Sequence, residues 1–323
     1  VLEQILNSIM GTADTMMVSN VGSAALSAVS LVDSINVLLI QAFSALAAGG
    51  AIVCAQYIGQ KNYEKANMSA RQVLFIITAI SVAVSAVCLI FQKPLLRLIF
   101  GAVDADVMRA SEIYFFFTAL SFPFIAAYDS AASIFRAQEN TKGPMTISMI
   151  SNIMNIGGNA VLIWVFHLGV AGAAISTLVS RIFCAVVVLW QLRKDRQPVV
   201  VKDYLKIRPD WSMIGRILGL GIPSGIENSM FQLGKLAIQS TVSTLGTAAI
   251  AAQAMTNILE NLNGIAAIGV GVGLMTIVGQ CLGAGHKDEA VYYIKKLCVI
   301  AEVVIIVSCL AVYILVRPVT VLG

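Results

Sequence analysis

Apolar residues fill this chain in long blocks, and short polar breaks interrupt them at nearly regular intervals. The blocks predict helices at roughly 1–20, 30–58, 66–92, 107–136, 144–166, 169–193, 213–244, 250–282 and 290–316. Most reach or exceed the roughly 20 residues that an α-helix needs to cross the hydrocarbon of a bilayer. The breaks carry turn formers: Asn20-Val-Gly22, Gly59-Gln-Lys-Asn62, Asn140-Thr-Lys-Gly-Pro144, His167-Leu-Gly169 and Gly283-Ala-Gly285. No run of alternating ten-residue strands is present, which argues against a membrane barrel. The expectation is an all-α integral membrane protein with about nine transmembrane helices.

One break is different. Residues 193–212 hold Arg193, Lys194, Arg196, Lys202, Lys206 and Arg208, with Pro198 and Pro209. This polar connector reads as a cytoplasmic linker between an N-lobe of residues 1–192 and a C-lobe of residues 213–323.

The two lobes repeat. Glu3 recurs as Glu227, Val18-Ser19 as Val242-Ser243, and Gly22-Ser-Ala-Ala-Leu-Ser-Ala28 as Gly246-Thr-Ala-Ala-Ile-Ala-Ala252. The same offset relates Gly49 to Gly273, Gln56 to Gln280, Gly59 to Gly283 and Ala66 to Ala290. Alanine-rich apolar segments match one another by chance, so the constant offset and the Gly, Gln and Glu positions carry the inference. A period this long in a membrane protein points to two transporter halves with a site between them.

Composition agrees, with 58% hydrophobic and 12% charged residues and a mean hydropathy of +0.87. The net charge of +4 is accounted for by basic loops and implies no nucleic-acid partner. The six cysteines are scattered singly, without metal-knuckle spacing or a disulfide framework. The chain starts at Val1 inside an apolar helix and ends at Gly323 just after Arg317-Pro318, so continuation is expected at both ends. No cleavable leader is visible.

Basic residues set the expected orientation. Lys61, Lys65 and Arg71, then Arg136 and Lys142, the connector, and Lys287, Lys295 and Lys296 all fall in alternate loops. The loops opposite are free of Lys and Arg, except around Lys93, Arg97 and Arg109, where Asp104, Asp106 and Glu112 offset them. The positive-inside rule places the basic loops and the N-terminus in the cytoplasm. Six helices per lobe is an even number, so the repeats should run parallel, related by a pseudo-twofold along the membrane normal.

Ionisable groups inside a bilayer cost several kcal/mol on most scales, about 2.5–3.5 by insertion measurements, and therefore need a reason. Glu3, Asn7 and Asp14 share one face of the first helix. Asn152, Asn155 and Asn159 form an amide stripe whose oxygens suit Na⁺ beside a carboxylate, or hydrogen bonds to its protonated form. Ordinary interhelical polar contact is the competing account. Asp33 and Asn36 correspond through the repeat to Asn257 and Glu260, so each lobe keeps one acid and one amide in exchanged order. Asn228, Gln232, Lys235 and Gln239 make another stripe, beside Glu227. Lys235 is expected to be a buried cation paired with Glu227 or Glu260, as a structural pair or in substrate handling. Asp129 and Arg136, seven residues apart, are expected to form a salt bridge near the cytoplasmic end; Arg181 and Glu302 have no assigned partner.

Nothing suggests an enzyme. The two histidines, His167 and His286, sit at loops or helix ends, and no Walker loop, metal-ligand spacing or nucleophile elbow appears. Without a nucleotide motif, transport would be driven by an ion gradient or by another subunit, and no cofactor is expected.

Several segments resemble a known family. Gly11-Thr-Ala-Asp-Thr-Met-Met-Val-Ser19 with Val21-Gly-Ser-Ala-Ala-Leu-Ser-Ala28 resembles the first-helix signature of multidrug and toxic compound extrusion (MATE) transporters. Phe135-Arg-Ala-Gln-Glu-Asn-Thr-Lys-Gly-Pro144, Gly172-Ala-Ala-Ile-Ser-Thr177, Leu220-Gly-Ile-Pro223 and Leu245-Gly-Thr-Ala-Ala-Ile-Ala-Ala252 are similar to later segments of that family. Their order and spacing extend the resemblance over essentially the whole chain.

The resemblance implies twelve helices in two six-helix lobes around a cavity open alternately to each side, so the second repeat here would be truncated by three helices. It also implies an N-lobe cation site at Asp14, Asn155, Asn159 and Thr177, with Asp14 as the ligand of a Na⁺ ion if Na⁺ is the coupling ion. Two positions depart from the family pattern. Asn159 stands where many members carry a second acid, which leaves H⁺ as plausible as Na⁺. Phe231 stands where some carry an acid, with Glu227 one turn earlier.

The expected function is a secondary antiporter in the cytoplasmic (inner) membrane of a bacterium, exporting cationic, amphipathic organic compounds in exchange for H⁺ or Na⁺. Its cavity would use Glu3, Asp33, Asn36, Glu227, Gln232, Lys235, Asn257 and Glu260, with small organic substrates and the lipid bilayer as its only implied partners. A lipid-linked precursor flippase, a non-transporting receptor or scaffold, and a channel stay open as alternatives. The acidic bias of the intramembrane charges disfavours the flippase, and the duplicated acid–amide pairs disfavour the scaffold.

Overall fold

A computed structural model describes residues 17–18, 20–100, 104–194, 198–202, 208–243 and 247–321. Among them the fold is helical throughout, with α1 Ser23–Gly59, α2 Tyr63–Ile90, α3 Gln92–Phe100, α4 Ala105–Ala137 and α5 Lys142–Ala160. A π-helical turn, Val161–Val165, closes α5, and α6 Gly169–Leu192, α7 Trp211–Ser243, α8 Thr247–Gly283 and α9 Lys287–Val321 follow. Among the described residues five helices are long and apolar enough to span a membrane: α1, α2, α4, α5 with its π turn, and α6.

The first predicted span lies outside the described residues except at positions 17, 18 and 20. The span expected at 30–58 begins earlier, at Ser23, directly after the Val21-Gly22 turn. The short helix α3 was not expected. Its nine residues are too few to cross a bilayer, and it buries Leu96 while leaving Leu98 83% exposed.

Local chemistry explains the breaks. Lys61, Glu139 and His167 take positive φ at the turns that the polar breaks marked. Asn62 caps α2, its side chain accepting from the Lys65 N–H at 3.1 Å. Pro123 lies inside α4, so the Ala119 carbonyl loses the N–H that would ordinarily reach it. The Ser85 hydroxyl of α2 donates to that carbonyl at 2.7 Å. A helix-breaking residue is thereby tolerated in the bundle interior, because a neighbouring helix satisfies the freed group.

Among the described helices α1 packs on α2, α4, α7 and α8. The main core joins α1, α2, α4 and α6, with Phe115 and Phe122 fully buried and Phe43 edge-on to Phe122 at 6.2 Å. Met213 and Ile217, from the first two turns of α7, belong to the same core.

The connector is strapped down. Val199 and Val201 are fully buried, and Gln138 accepts from the Val199 N–H at 3.0 Å. Asn67 accepts from the Val200 N–H at 2.7 Å. Gln72, 3% exposed, donates to the Arg208 carbonyl at 2.7 Å and accepts from the Asp210 N–H at 3.2 Å.

Candidate functional site

Helices α1 and α8 touch most closely at their C-terminal ends, among the basic loops. A Cβ on Gly59 would collide with the Gln280 backbone, and one on Gly283 would collide with the Gln56 backbone. A Cβ on Gly49 would stand 2.6 Å from the Gly221 nitrogen of α7, and one on Gly221 would stand 2.9 Å from Leu46 Cα. Glycine permits these backbones to approach so closely. Polar bonds reinforce the contact: Arg216 donates to Gln56 Oε1 at 2.6 Å and to the Tyr57 hydroxyl at 3.1 Å, while Gln280 donates to the Ala137 carbonyl at 3.0 Å. Farther from the basic end the helices separate. Cβ atoms built on Gly264, Gly271 and Gly273 of α8 would meet nothing within 4 Å.

Two cavities lie in the cleft so formed. The inner one, about 470 Å³, is bounded by Gln41 of α1, Asp129 and Arg136 of α4, Asn228 and Gln232 of α7, and Thr276 of α8. The outer one, about 550 Å³, runs along Ser30, Asp33 and Val37 of α1 and reaches Gln232. Asp33 is held from two sides, accepting from Asn36 Nδ2 at 3.1 Å and from the Tyr114 hydroxyl at 3.2 Å. Asn36 is 3% exposed, and its Oδ1 accepts no hydrogen bond.

A separate polar cluster lies between α5 and α6. Asn155 Nδ2 donates to Thr177 Oγ1 at 3.3 Å, Asn159 Nδ2 to Asn155 Oδ1 at 3.4 Å, and Ser176 Oγ to the Asn155 carbonyl at 2.8 Å. Gly158 lets the Ser176 side chain in, since a Cβ there would collide with it. The π-helical turn begins two residues after Asn159; such turns concentrate at functional sites.

The sequence-predicted residues thus separate into groups. Asn155, Asn159 and Thr177 come together. Asp33 and Gln232 line the outer cavity, and Asn36 anchors Asp33. Glu3, Asn7 and Asp14 lie outside the described residues, as does the side chain of Asn257. Lys235 meets Glu260 at 2.9 Å, the second of the two partners expected, and lies 5.1 Å from the Phe231 ring centroid. It is not a buried cation, however: the side chains of the pair are 37% and 51% exposed. Neither these two nor the exposed Glu227 lines the two cavities.

Sequence reasoning expected a salt bridge between Asp129 and Arg136 and did not foresee that both border the inner cavity. A guanidinium in the middle of a membrane helix needs partners, and Arg181 donates to Ser121 Oγ of α4 at 2.7 Å.

A family model described as MatE matches residues 1–161 and 223–322. The chain belongs to the MatE family.

This MatE chain is 26% identical over 294 residues to the uncharacterized transporter YisQ of Bacillus subtilis, covering 90% of the chain and 64% of that protein. It is 25% identical to the probable multidrug resistance protein NorM of Thermotoga maritima, covering 91% and 63%. The chain therefore spans a little under two thirds of the length of these relatives. Among solved structures, the outward-facing conformation of a multidrug resistance MATE family transporter superposes with a TM-score of 0.87 at 19% identity, over 94% of this chain and 67% of that one. A superfamily transporter from Pyrococcus furiosus, described as having a binding pocket of reverse polarity, gives 0.90 at 19% identity, over 98% and 70%. The MatE chain thus has the fold of a multi-pass membrane transporter.

Proposed function

We propose that this chain works in a cation-coupled antiporter that exports cationic, amphipathic organic compounds in exchange for H⁺ or Na⁺. The observation that carries the reading is the cleft, shut at the basic end by glycine contacts and lined beyond them by acids and amides. With the basic loops in the cytoplasm, this conformation faces outward.

In this reading Asp14 takes the coupling ion, and Asn155, Asn159 and Thr177 supply neutral oxygens and amide donors near it. Loading Asp14 from outside changes how the first helix packs and releases the substrate. Loss of the ion to the cytoplasm resets the cycle. Asp33 draws the positive group of the substrate, while Phe231 and Met275 give the cleft adaptable apolar surface.

The test is transport by the full-length gene product in proteoliposomes, following a fluorescent organic cation under an imposed H⁺ or Na⁺ gradient. Gradient-driven efflux by the wild type, abolished in Asp14→Asn, is the expected result, and the active gradient names the ion. Efflux that survives Asp14→Asn removes Asp14 from coupling. Absence of efflux under either gradient overturns the reading.

A further inference from the structure

Helix α3 joins the ends of α2 and α4 that lie farthest from the basic loops. Helix α2 closes at Ile90 and α4 opens at Ala105, while Lys65 and Arg136 stand at their other ends. The nine residues of α3 fold onto the main core through Leu96, which is fully buried, with Leu95 and Phe100 packed beside it. Gln92 fastens α3 to α4 by donating to the Glu112 carbonyl.

The 3.6-residue period divides the rest of α3 into two flanks. Lys93 and Arg97, one turn apart, lie to one side of Leu96, and Leu98 and Ile99 lie to the other. The apolar flank is open: Leu98 is 83% and Ile99 50% exposed, after Ile90 and Phe91 at 73% and 55%. On the basic flank Lys93 Nζ lies 4.0 Å from the Glu112 carboxylate. Arg97 is exposed and forms no ion pair among the described residues, so the flank keeps one net positive charge. The other loops on this side of the bundle hold no Lys or Arg.

A helix too short to span, apolar on one flank and basic on the other, suits the boundary between lipid chains and headgroups. The spanning helices α2 and α4 bring that boundary to α3, because exposed Val87 and Ile90 on α2 and Ile113 and Phe116 on α4 continue the lipid-facing surface up to it. A crevice of about 250 Å³ carries that surface from Ile113 and Phe116 to Gln92 of α3. The paired donors of a guanidinium match the oxygens of a phosphate. A headgroup with net negative charge neutralises the basic flank, and a zwitterionic one does not.

We propose that α3 is an interfacial anchor for an anionic phospholipid of the leaflet opposite the basic loops. The lipid phosphate rests on Arg97 and Lys93, and the chains descend past Leu98 and Ile99 along the exposed faces of α2 and α4. Leu96 ties this anchor to the main core, so the lipid holds the outer ends of α2 and α4 at a fixed depth. The inference rests on the membrane fold and is independent of what the protein transports.

The experiment uses the full-length protein in lipid nanodiscs, with its native cysteines replaced and a nitrobenzoxadiazole dye on Leu98→Cys. Spin labels on the lipid chains should quench this dye, and aqueous iodide should not. At equal mole fraction in phosphatidylcholine discs, chain-labelled phosphatidylglycerol should quench more than chain-labelled phosphatidylcholine. The local enrichment should reach about fivefold, the factor expected for one basic residue beside an anionic headgroup. Arg97→Gln should abolish the preference, Arg97→Lys should keep it, and high salt should weaken it. Because Arg97 is exposed, its variants leave the packing of Leu96 intact, and chain quenching retained in Arg97→Gln reports that α3 is still in place. Quenching by iodide rather than by the chain labels would remove α3 from the interface. Equal quenching by the two lipids, or a preference that survives Arg97→Gln, would overturn the anionic-lipid site.

Discussion

Gly59 of α1 lies against the backbone of Gln280 in α8, and the repeat-equivalent Gly283 lies against the backbone of Gln56. The contact is reciprocal, as a twofold axis between the two helices would make it. Any side chain at either glycine must push the helix ends apart. Overpacking of this kind costs about 1–3 kcal/mol, which is roughly a 5- to 150-fold shift between closed and open forms. Gly59→Leu should therefore open the basic end. With the other five cysteines replaced, maleimide labelling of Cys281 in that variant should accelerate by a factor in this range. Unchanged labelling would show that the closure lies elsewhere.

Ser85 and Pro123 form a compensating pair. Ser85→Ala leaves the buried Ala119 carbonyl without a donor, a loss of about 1–3 kcal/mol, and should lower the melting temperature. Adding Pro123→Ala restores a backbone N–H to that carbonyl, so the serine substitution should cost much less in that background. A double-mutant cycle by thermal melting reads the coupling; additive effects would rule it out.

The Lys235–Glu260 pair should matter little for stability, because both side chains are more than a third exposed. Glu260→Gln should cost less than about 1 kcal/mol, as exposed ion pairs do. Chemical denaturation in a fixed detergent checks this. A loss of about 3 kcal/mol or more would mean that the pair is desolvated in the working protein.

Gln72 fastens the connector with two hydrogen bonds. Gln72→Ala should loosen it by about 1–3 kcal/mol, two bonds at roughly 0.5–1.5 each. Trypsin should then cut sooner after Lys202, with the helices still folded by circular dichroism. An unchanged cleavage rate would mean that the buried Val199 and Val201 hold the connector without it.

Much of the architecture is legible in the sequence. Apolar block length predicts helices because backbone groups in hydrocarbon must be satisfied within the segment, and turns such as Gly59–Asn62 carry their own chemistry. The offset linking Gln56 and Gly59 to Gln280 and Gly283 was visible as a pattern of letters, and the cluster of Asn155, Asn159 and Thr177 followed from helical spacing and family resemblance. Neither pattern states which surfaces meet. That Gly59 faces Gln280, that Ser85 reaches the carbonyl freed by Pro123, and that Lys235 and Glu260 pair while partly exposed depend on how the helices pack. The sequence by itself determined the helices, their solvent and their family, because these follow from local periodicity and composition. Only the tertiary structure decided that Asp129 and Arg136 would border a cavity shared with Gln41, Asn228 and Thr276, since the lining of a cavity is set by distances between helices far apart in the chain.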